Sequence, residues 1–304
     1  MAPIVLHALP GNESRSEALA QALAGRGLAA ASRPCMLHRF PDGETRVTVA
    51  TDPAVSGSEA VVVCTLDRPD AKLMPLLLAA AVLRDLGARR VGLVAPYLPY
   101  LRQDARFLPG EAISAPVFAQ ALSARFDWLL CVDPHLHRIP ALDRIYTLRA
   151  HVAHAAPLLA EWVARNVEQP LVIGPDRESA QWAGALSERI GAPLVLVDKT
   201  RLGDRAVRVR LPDLAPWAGR TPVLVDDVIS TGRTLVAVLE QLRQRGSPPP
   251  VCVAAHGLCA GDALPALQAA GAQRVVCTNS VAHACTPIDL TPLLADAVVA
   301  ALAA

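Results

Sequence analysis

The strongest constraint on this chain is a set of short apolar runs that do not alternate with polar residues. They lie at 60–65 (AVVVCT), 90–95 (RVGLVA), 128–132, 171–174, 194–197, 223–225 and 251–255. A strand with one wet face alternates, whereas a strand covered on both faces is apolar throughout. Ala- and Leu-rich stretches with helical spacing separate the runs, at 74–86, 114–122, 179–190 and 234–245. Gly87, Gly191 and Gly246 stand where such helices should end. Alternating β and α elements build mainly parallel sheets flanked by helices, so the expected class is α/β. The elements form two sets that part near residues 146–154. The expected division is 1–147, joined by a C-terminal helix at about 288–304, and 148–287. Segment 201–212 (RLGDRAVRVRLP) breaks the pattern; its alternating Val207 and Val209 suit a short hairpin or a mobile loop. Residues 247–250 read as a turn.

With 304 residues the chain can hold two cores. A composition 52% hydrophobic and 19% charged is that of a folded protein. The net charge of +1 gives no broad field for nucleic acid or an anionic membrane, so neither is an expected partner. Phosphate binding would have to come from local geometry. No apolar run approaches the ~20 residues of a membrane span, and no basic-then-apolar secretory segment opens the sequence. Cys35, Cys64, Cys131, Cys252, Cys259, Cys277 and Cys285 include no CxxC pair. Buried reduced thiols are expected rather than disulfides or a zinc site. A cytoplasmic enzyme fits these bounds.

Segment 223–234, VLVDDVISTGRT, runs an apolar strand into Asp226-Asp227, then into hydroxyls and a glycine before an apolar helix. In open α/β sheets ligands bind beyond the carboxyl ends of strands. A helix N-terminus offers unpaired N–H groups and a positive dipole to a phosphate. Gly232 lets backbone approach the anion; Ser230, Thr231 and Thr234 add hydroxyl donors. The two aspartates can accept from vicinal sugar hydroxyls. A merely capped helix needs only one such side chain.

This segment resembles the phosphoribosyl-diphosphate (PRPP) motif shared by type I phosphoribosyltransferases and PRPP synthetases, also called ribose-phosphate diphosphokinases. Three further segments resemble the synthetases alone. Segment 97–114, YLPYLRQDARFLPGEAIS, reads by composition as a strand-end loop able to grip polyphosphate through Arg102 and Arg106, or as a solvated loop. It is similar to the synthetase signature PYxxYxRQDxxFxPGExIS. The resemblance implies ATP contacts from Arg102 and Gln103, with Asp104 beside them. Segment 40–46, FPDGETR, has the chemistry of a hairpin turn. It resembles the family's FxDGE segment, which implies that Phe40, Asp42 and Glu44 reach the adenine site of a neighbouring subunit, with Phe40 on the base. A homo-oligomer with shared adenine sites is then expected. Segment 132–138, VDPHLHR, ends a strand with an Asp and a His able to hold a divalent cation, or forms an ordinary turn. It resembles the family's DLH motif, implying His135 as a Mg2+ ligand with Asp133 in support.

In the second half, 171–176 (LVIGPD) ends an apolar strand at Asp176, matching the acid of the family's PDxG-type motif near metal and ribose phosphate. Arg177-Glu178-Ser179 then depart from the family's Gly-rich turn. Lys199 and Arg201 share one face if extended, as many solvated basic pairs do. The family's KxR pair at the root of a catalytic loop has the same place. The resemblance thus implies two tandem phosphoribosyltransferase-like domains and the substrates ATP and ribose 5-phosphate. Mg2+ would be the cofactor, held near His135, Asp133 and Asp176. Ribose 5-phosphate would lie against Asp226, Asp227, Ser230, Thr231, Gly232 and Thr234, with Lys199 and Arg201 catalytic. A PRPP-using phosphoribosyltransferase and a non-catalytic regulatory paralogue are the alternatives.

Overall fold

The computed structural model describes residues 2–52, 54–176, 179–201 and 207–304; for 199–201 and 207–208 it describes backbone alone. The chain forms two compact units, Met1–Ala153 with Thr291–Ala304, and His154–Leu290.

The first unit runs β1 (Ile4–Ala8), α1 (Glu13–Ala24), β2 (Ala30–Arg39), β3 (Thr45–Val49), β4 (Glu59–Val63), α2 (Pro69–Asp85), β5 (Arg90–Val94), α3 (Ser114–Ser123), β6 (Trp128–Val132) and β7 (Arg149–Ala153). Its seven-stranded sheet has the order β3-β2-β1-β4-β5-β6-β7. Every neighbouring pair is parallel except β2 with β3, an antiparallel hairpin. β1, β4 and β6 are buried along their whole length, as non-alternating apolar strands require. Leu76, Leu83, Leu93 and Leu129 lie at the heart of the core. α2 opens with proline in its first turn and carries Arg84 in its last, both suited to those ends.

The second unit runs α4 (Ala156–Asn166), β8 (Pro170–Gly174), α5 (Ala180–Ile190), β9 (Leu194–Leu196), β10 (Asp198–Arg201), β11 (Val207–Arg210), β12 (Thr221–Ile229), α6 (Arg233–Gln244), β13 (Val251–Gly257), α7 (Ala263–Ala269) and β14 (Arg274–Thr278). A parallel five-stranded sheet has the order β14-β13-β12-β8-β9. β10 and β11 pair antiparallel, with Arg201 opposite Val207, which agrees with the hairpin alternative; residues 202–206 between them lie outside the described residues. Gly191 ends α5 in the left-handed region at φ 64°.

The sequence runs differ from the strands in one place that matters. The apolar run 223–225 sits inside a strand that continues through Asp226-Asp227 to Ile229. The reason is β13, which runs on to Gly257 and keeps pairing, with Asp226 opposite Ala254 and Val228 opposite His256. On the other side pairing with β8 stops at Leu224.

The last helix, α8 (Thr291–Ala303), packs in the first unit and buries Leu294, Ala295, Val298 and Ala301. Arg26 Nε contacts Asp296 at 2.7 Å, and Arg90 Nη2 donates to the Leu302 carbonyl at 2.8 Å. Arg90 also meets the buried Glu59 carboxylate at 2.8 Å. Among the described residues no helix is long and apolar enough to cross a membrane.

Gly92 on β5 lies opposite Trp128 on β6. A Cβ there would come within 2.0 Å of the Trp128 ring, which is itself buried. Gly92→Ala must therefore displace the indole or part the strands, and the expected cost is at least the ~1–3 kcal/mol of core overpacking. Urea unfolding monitored by tryptophan fluorescence checks this; an unchanged midpoint would contradict the packing.

Candidate active site

In the second unit the acids stand at the carboxyl ends of neighbouring strands β8 and β12. Asp227 is buried, and its Oδ1 accepts from the Val228 N–H at 2.8 Å. Asp226 Oδ1 accepts from the Asp227 N–H at 3.0 Å. Just past β8, Asp176 Oδ1 accepts from the Ser179 N–H at 3.0 Å, and Ser179 Oγ donates to the Asp176 carbonyl at 2.7 Å. Burial, then the nearby Asp227 and Asp176 carboxylates, hold Asp226 well above the usual carboxylate range.

The strand then turns at Ser230-Thr231-Gly232 into α6. Gly232 is the residue before the helix, at φ 69°, a left-handed conformation that glycine adopts without strain. A Cβ there would also press on Leu267 at 3.3 Å. No side chain caps the α6 N-terminus. Its first-turn N–H groups thus face the position an anion would take, with Ser230 and Thr234 half-buried and Thr231 exposed around it. Behind the turn, the Cys259 and Ala260 N–H groups donate to the Ile229 and Ser230 carbonyls, each at 3.0 Å.

In the first unit, segment 97–114 and segment 132–138 are tied together. Arg138 Nη1 donates to Asp104 Oδ1 at 2.8 Å, the Arg138 N–H donates to Asp104 Oδ2 at 3.1 Å, and the guanidinium covers the Phe107 ring. Glu111 Oε2 accepts from the Phe107 and Leu108 N–H groups, both at 3.0 Å, and its carbonyl accepts from Arg106 Nε. Asp104 thus braces the loop through Arg138, a partner whose role the sequence did not mark. Arg102 stands exposed beside half-buried Gln103, whose N–H donates to the Tyr100 carbonyl at 3.1 Å. Asp133 is buried at the end of β6 with φ 32°, its N–H donating to the Ala153 carbonyl; His135, two residues on, is half-buried.

Phe40, Asp42 and Glu44 form the tip of the β2–β3 hairpin. The Phe40 N–H donates to the Glu44 carbonyl at 2.8 Å, and Asp42 Oδ1 accepts from the Glu44 N–H. Phe40 is 38% exposed, edge-on to His38 at 4.6 Å between ring centroids. Lys199 and Arg201 occupy alternate positions of β10, opposite Val209 and Val207; their side chains lie outside the described residues, as do Arg177 and Glu178.

Residues 9–125 match the family described as the N-terminal domain of ribose phosphate pyrophosphokinase, and residues 141–291 match the phosphoribosyl transferase domain. The ribose-phosphate pyrophosphokinase of Methanothermobacter thermautotrophicus is 33% identical over 264 residues, 86% of this chain and 90% of that protein. The Halobacterium salinarum protein of the same name is 34% identical over 85% of this chain and 89% of its own length. The chain belongs to the ribose-phosphate pyrophosphokinase family. The crystal structure of phosphoribosylpyrophosphate synthetase from Mycobacterium smegmatis agrees over the fold, with a TM-score of 0.83, 27% identity and 99% of each chain covered. A lone phosphoribosyl transferase domain would account for the second match and leave the first 125 residues unexplained.

Asp226 binds a proton more tightly folded than unfolded, so its charge costs the folded state stability at any pH above the ordinary carboxylate pKa of ~3.9, and not below it. Asp226→Asn should therefore raise the melting temperature of the ligand-free protein near pH 7.5. A rise of about 2–4 °C is what ~1 kcal/mol gives in a domain of this size. The gain should fade as pH approaches 4. Calorimetry across that range checks it; a lowered melting temperature at pH 7.5 would refute the repulsion.

Proposed function

We propose that the chain is a working ribose-phosphate diphosphokinase. The 1-hydroxyl oxygen of ribose 5-phosphate attacks the β-phosphorus of ATP in line. The bond from that phosphorus to its bridge with the α-phosphate breaks, and AMP leaves with the electron pair. PRPP is the other product. The observation carrying this reading is the uncapped N-terminus of α6, preceded by left-handed Gly232 and by Asp226-Asp227. A phosphate finds N–H donors there while the acids accept from sugar hydroxyls on the same short stretch.

In this reading Asp226 and Asp227 orient the ribose, and Ser230, Thr231, Gly232 and Thr234 receive its 5-phosphate. Arg102 and Gln103 hold the nucleotide, and Asp104 keeps their loop in register through Arg138. The exposed Phe40, with Asp42 and Glu44, serves the adenine of a neighbouring subunit in a homo-oligomer. His135, Asp133 and Asp176 are the candidate holders of Mg2+, which when bound neutralises the triphosphate and steadies its geometry. Lys199 and Arg201 stabilise charge that builds on the transferring group. Most of the rate comes from positioning and charge neutralisation, as in other phosphoryl transfers. A cytoplasmic setting, where ATP and ribose 5-phosphate are both found, completes the proposal.

The direct test is AMP and PRPP formation by the pure protein from ATP, ribose 5-phosphate and Mg2+. Absence of AMP over a range of Mg2+ and phosphate would overturn the reading in favour of a non-catalytic relative. Lys199→Ala and Arg201→Ala should each lower kcat by a factor on the order of 10²–10³ while leaving ribose 5-phosphate affinity nearly unchanged, because such a contact acts only in the transition state. Wild-type turnover in either variant would remove that residue from the catalytic role.

A further inference from the structure

Three side chains from two stretches of the second unit converge behind the ribose-phosphate turn. Cys259 and Cys285 place their sulfurs 3.7 Å apart, and His283 Nδ1 lies 3.4 Å from the Cys285 sulfur. One ligand atom from each of the three lies within 4.8 Å of the others. A tetrahedral Zn2+ with Zn–S of about 2.3 Å and Zn–N of about 2.0–2.1 Å sets S···S edges near 3.8 Å and S···N edges near 3.5 Å. The two observed edges match those values. A disulfide would need the sulfurs at about 2.05 Å. We propose that Cys259, His283 and Cys285 form a site for a thiophilic divalent cation, Zn2+ above all.

Three observations besides the edge lengths carry this. Two thiols and an imidazole are borderline-soft donors, which select zinc over Mg2+. Cys259 is held at φ 42°, an uncommon backbone for a non-glycine residue and one that costs strain unless something fixes it. His283 is half-buried while both ligating cysteines are buried, so an ion can enter from one side into an otherwise closed site. Thr286 Oγ1 donates to the His283 carbonyl at 2.6 Å and fixes the turn that carries the imidazole.

The site has a job in the fold. Cys259 and its neighbour Ala260 donate to the Ile229 and Ser230 carbonyls at the root of the phosphate-gripping turn. A metal joining Cys259 to Cys285 and His283 would pin that root to the segment after β14. Binding releases thiol protons to solvent, and the folded protein gains stability with the logarithm of free Zn2+.

The experiment uses the full-length reduced protein in excess Mg2+. Metal analysis after purification and after reloading with Zn2+ should give one equivalent per chain. Replacement by Co2+ should give thiolate charge-transfer bands and visible bands of tetrahedral intensity, both lost in Cys285→Ser. Zn2+ should raise the melting temperature of the metal-stripped wild type by several degrees, and a zinc-selective chelator should reverse it. Circular dichroism of the stripped variant should match the stripped wild type. Less than half an equivalent of zinc, cobalt bands that survive Cys285→Ser, or a wild-type melting temperature indifferent to Zn2+ would each overturn the site.

Discussion

Everything at the candidate site of the second unit hangs on how β12 is paired. On one side the ladder to β8 ends at Ile173 opposite Leu224; on the other β13 carries the pairing to Gly257. The unequal partners leave Asp226 and Asp227 on ordered strand backbone yet beyond the last bond to β8. Asp176, arriving from the end of β8, can then crowd Asp226. A strand end held on one side is rigid enough to fix carboxylates and open enough to admit a sugar. The repulsion among those acids is a local instability that the parallel core, with Ile173, Leu224 and Leu239 fully buried, sustains.

The first unit solves the matching problem with side chains. The segment after β5 is long and polar, and its shape comes from a few strong contacts. Glu111 gathers two N–H groups, and Arg138 clasps buried Asp104 while covering Phe107. Arg102 is left projecting from a stiff support, which favours a cation meant for a ligand over one meant for solvation.

Much of this was legible in the chain. Non-alternating runs marked strands buried on both faces, and glycines marked the ends of α2, α5 and α6. Other elements were hidden for physical reasons. β2 carries Ser32, Arg33 and Pro34 and is mostly exposed beyond Cys35, so it lacks the apolar run of a central strand. β12 outran its apolar core because aspartates are poor strand formers that tertiary pairing overrode. The Asp104–Arg138 clasp joins residues far apart in sequence and leaves no local pattern. The cysteines at 259 and 285 read as isolated buried thiols, since their spacing resembles no metal motif and only the fold brings their sulfurs together.

The docking of α8 bears on how the molecule is made. Residues 1–153 lack their final helix until the intervening residues 154–290 and then 291–304 have been synthesised. Until that moment Arg26, Arg90 and the surface awaiting Leu294 and Val298 have no helix to meet. The first unit therefore emerges from the ribosome as an unfinished body, and its completion waits on residues 291–304. The second unit, continuous from His154 to Leu290, has no such dependence, so it can mature first although it is encoded later.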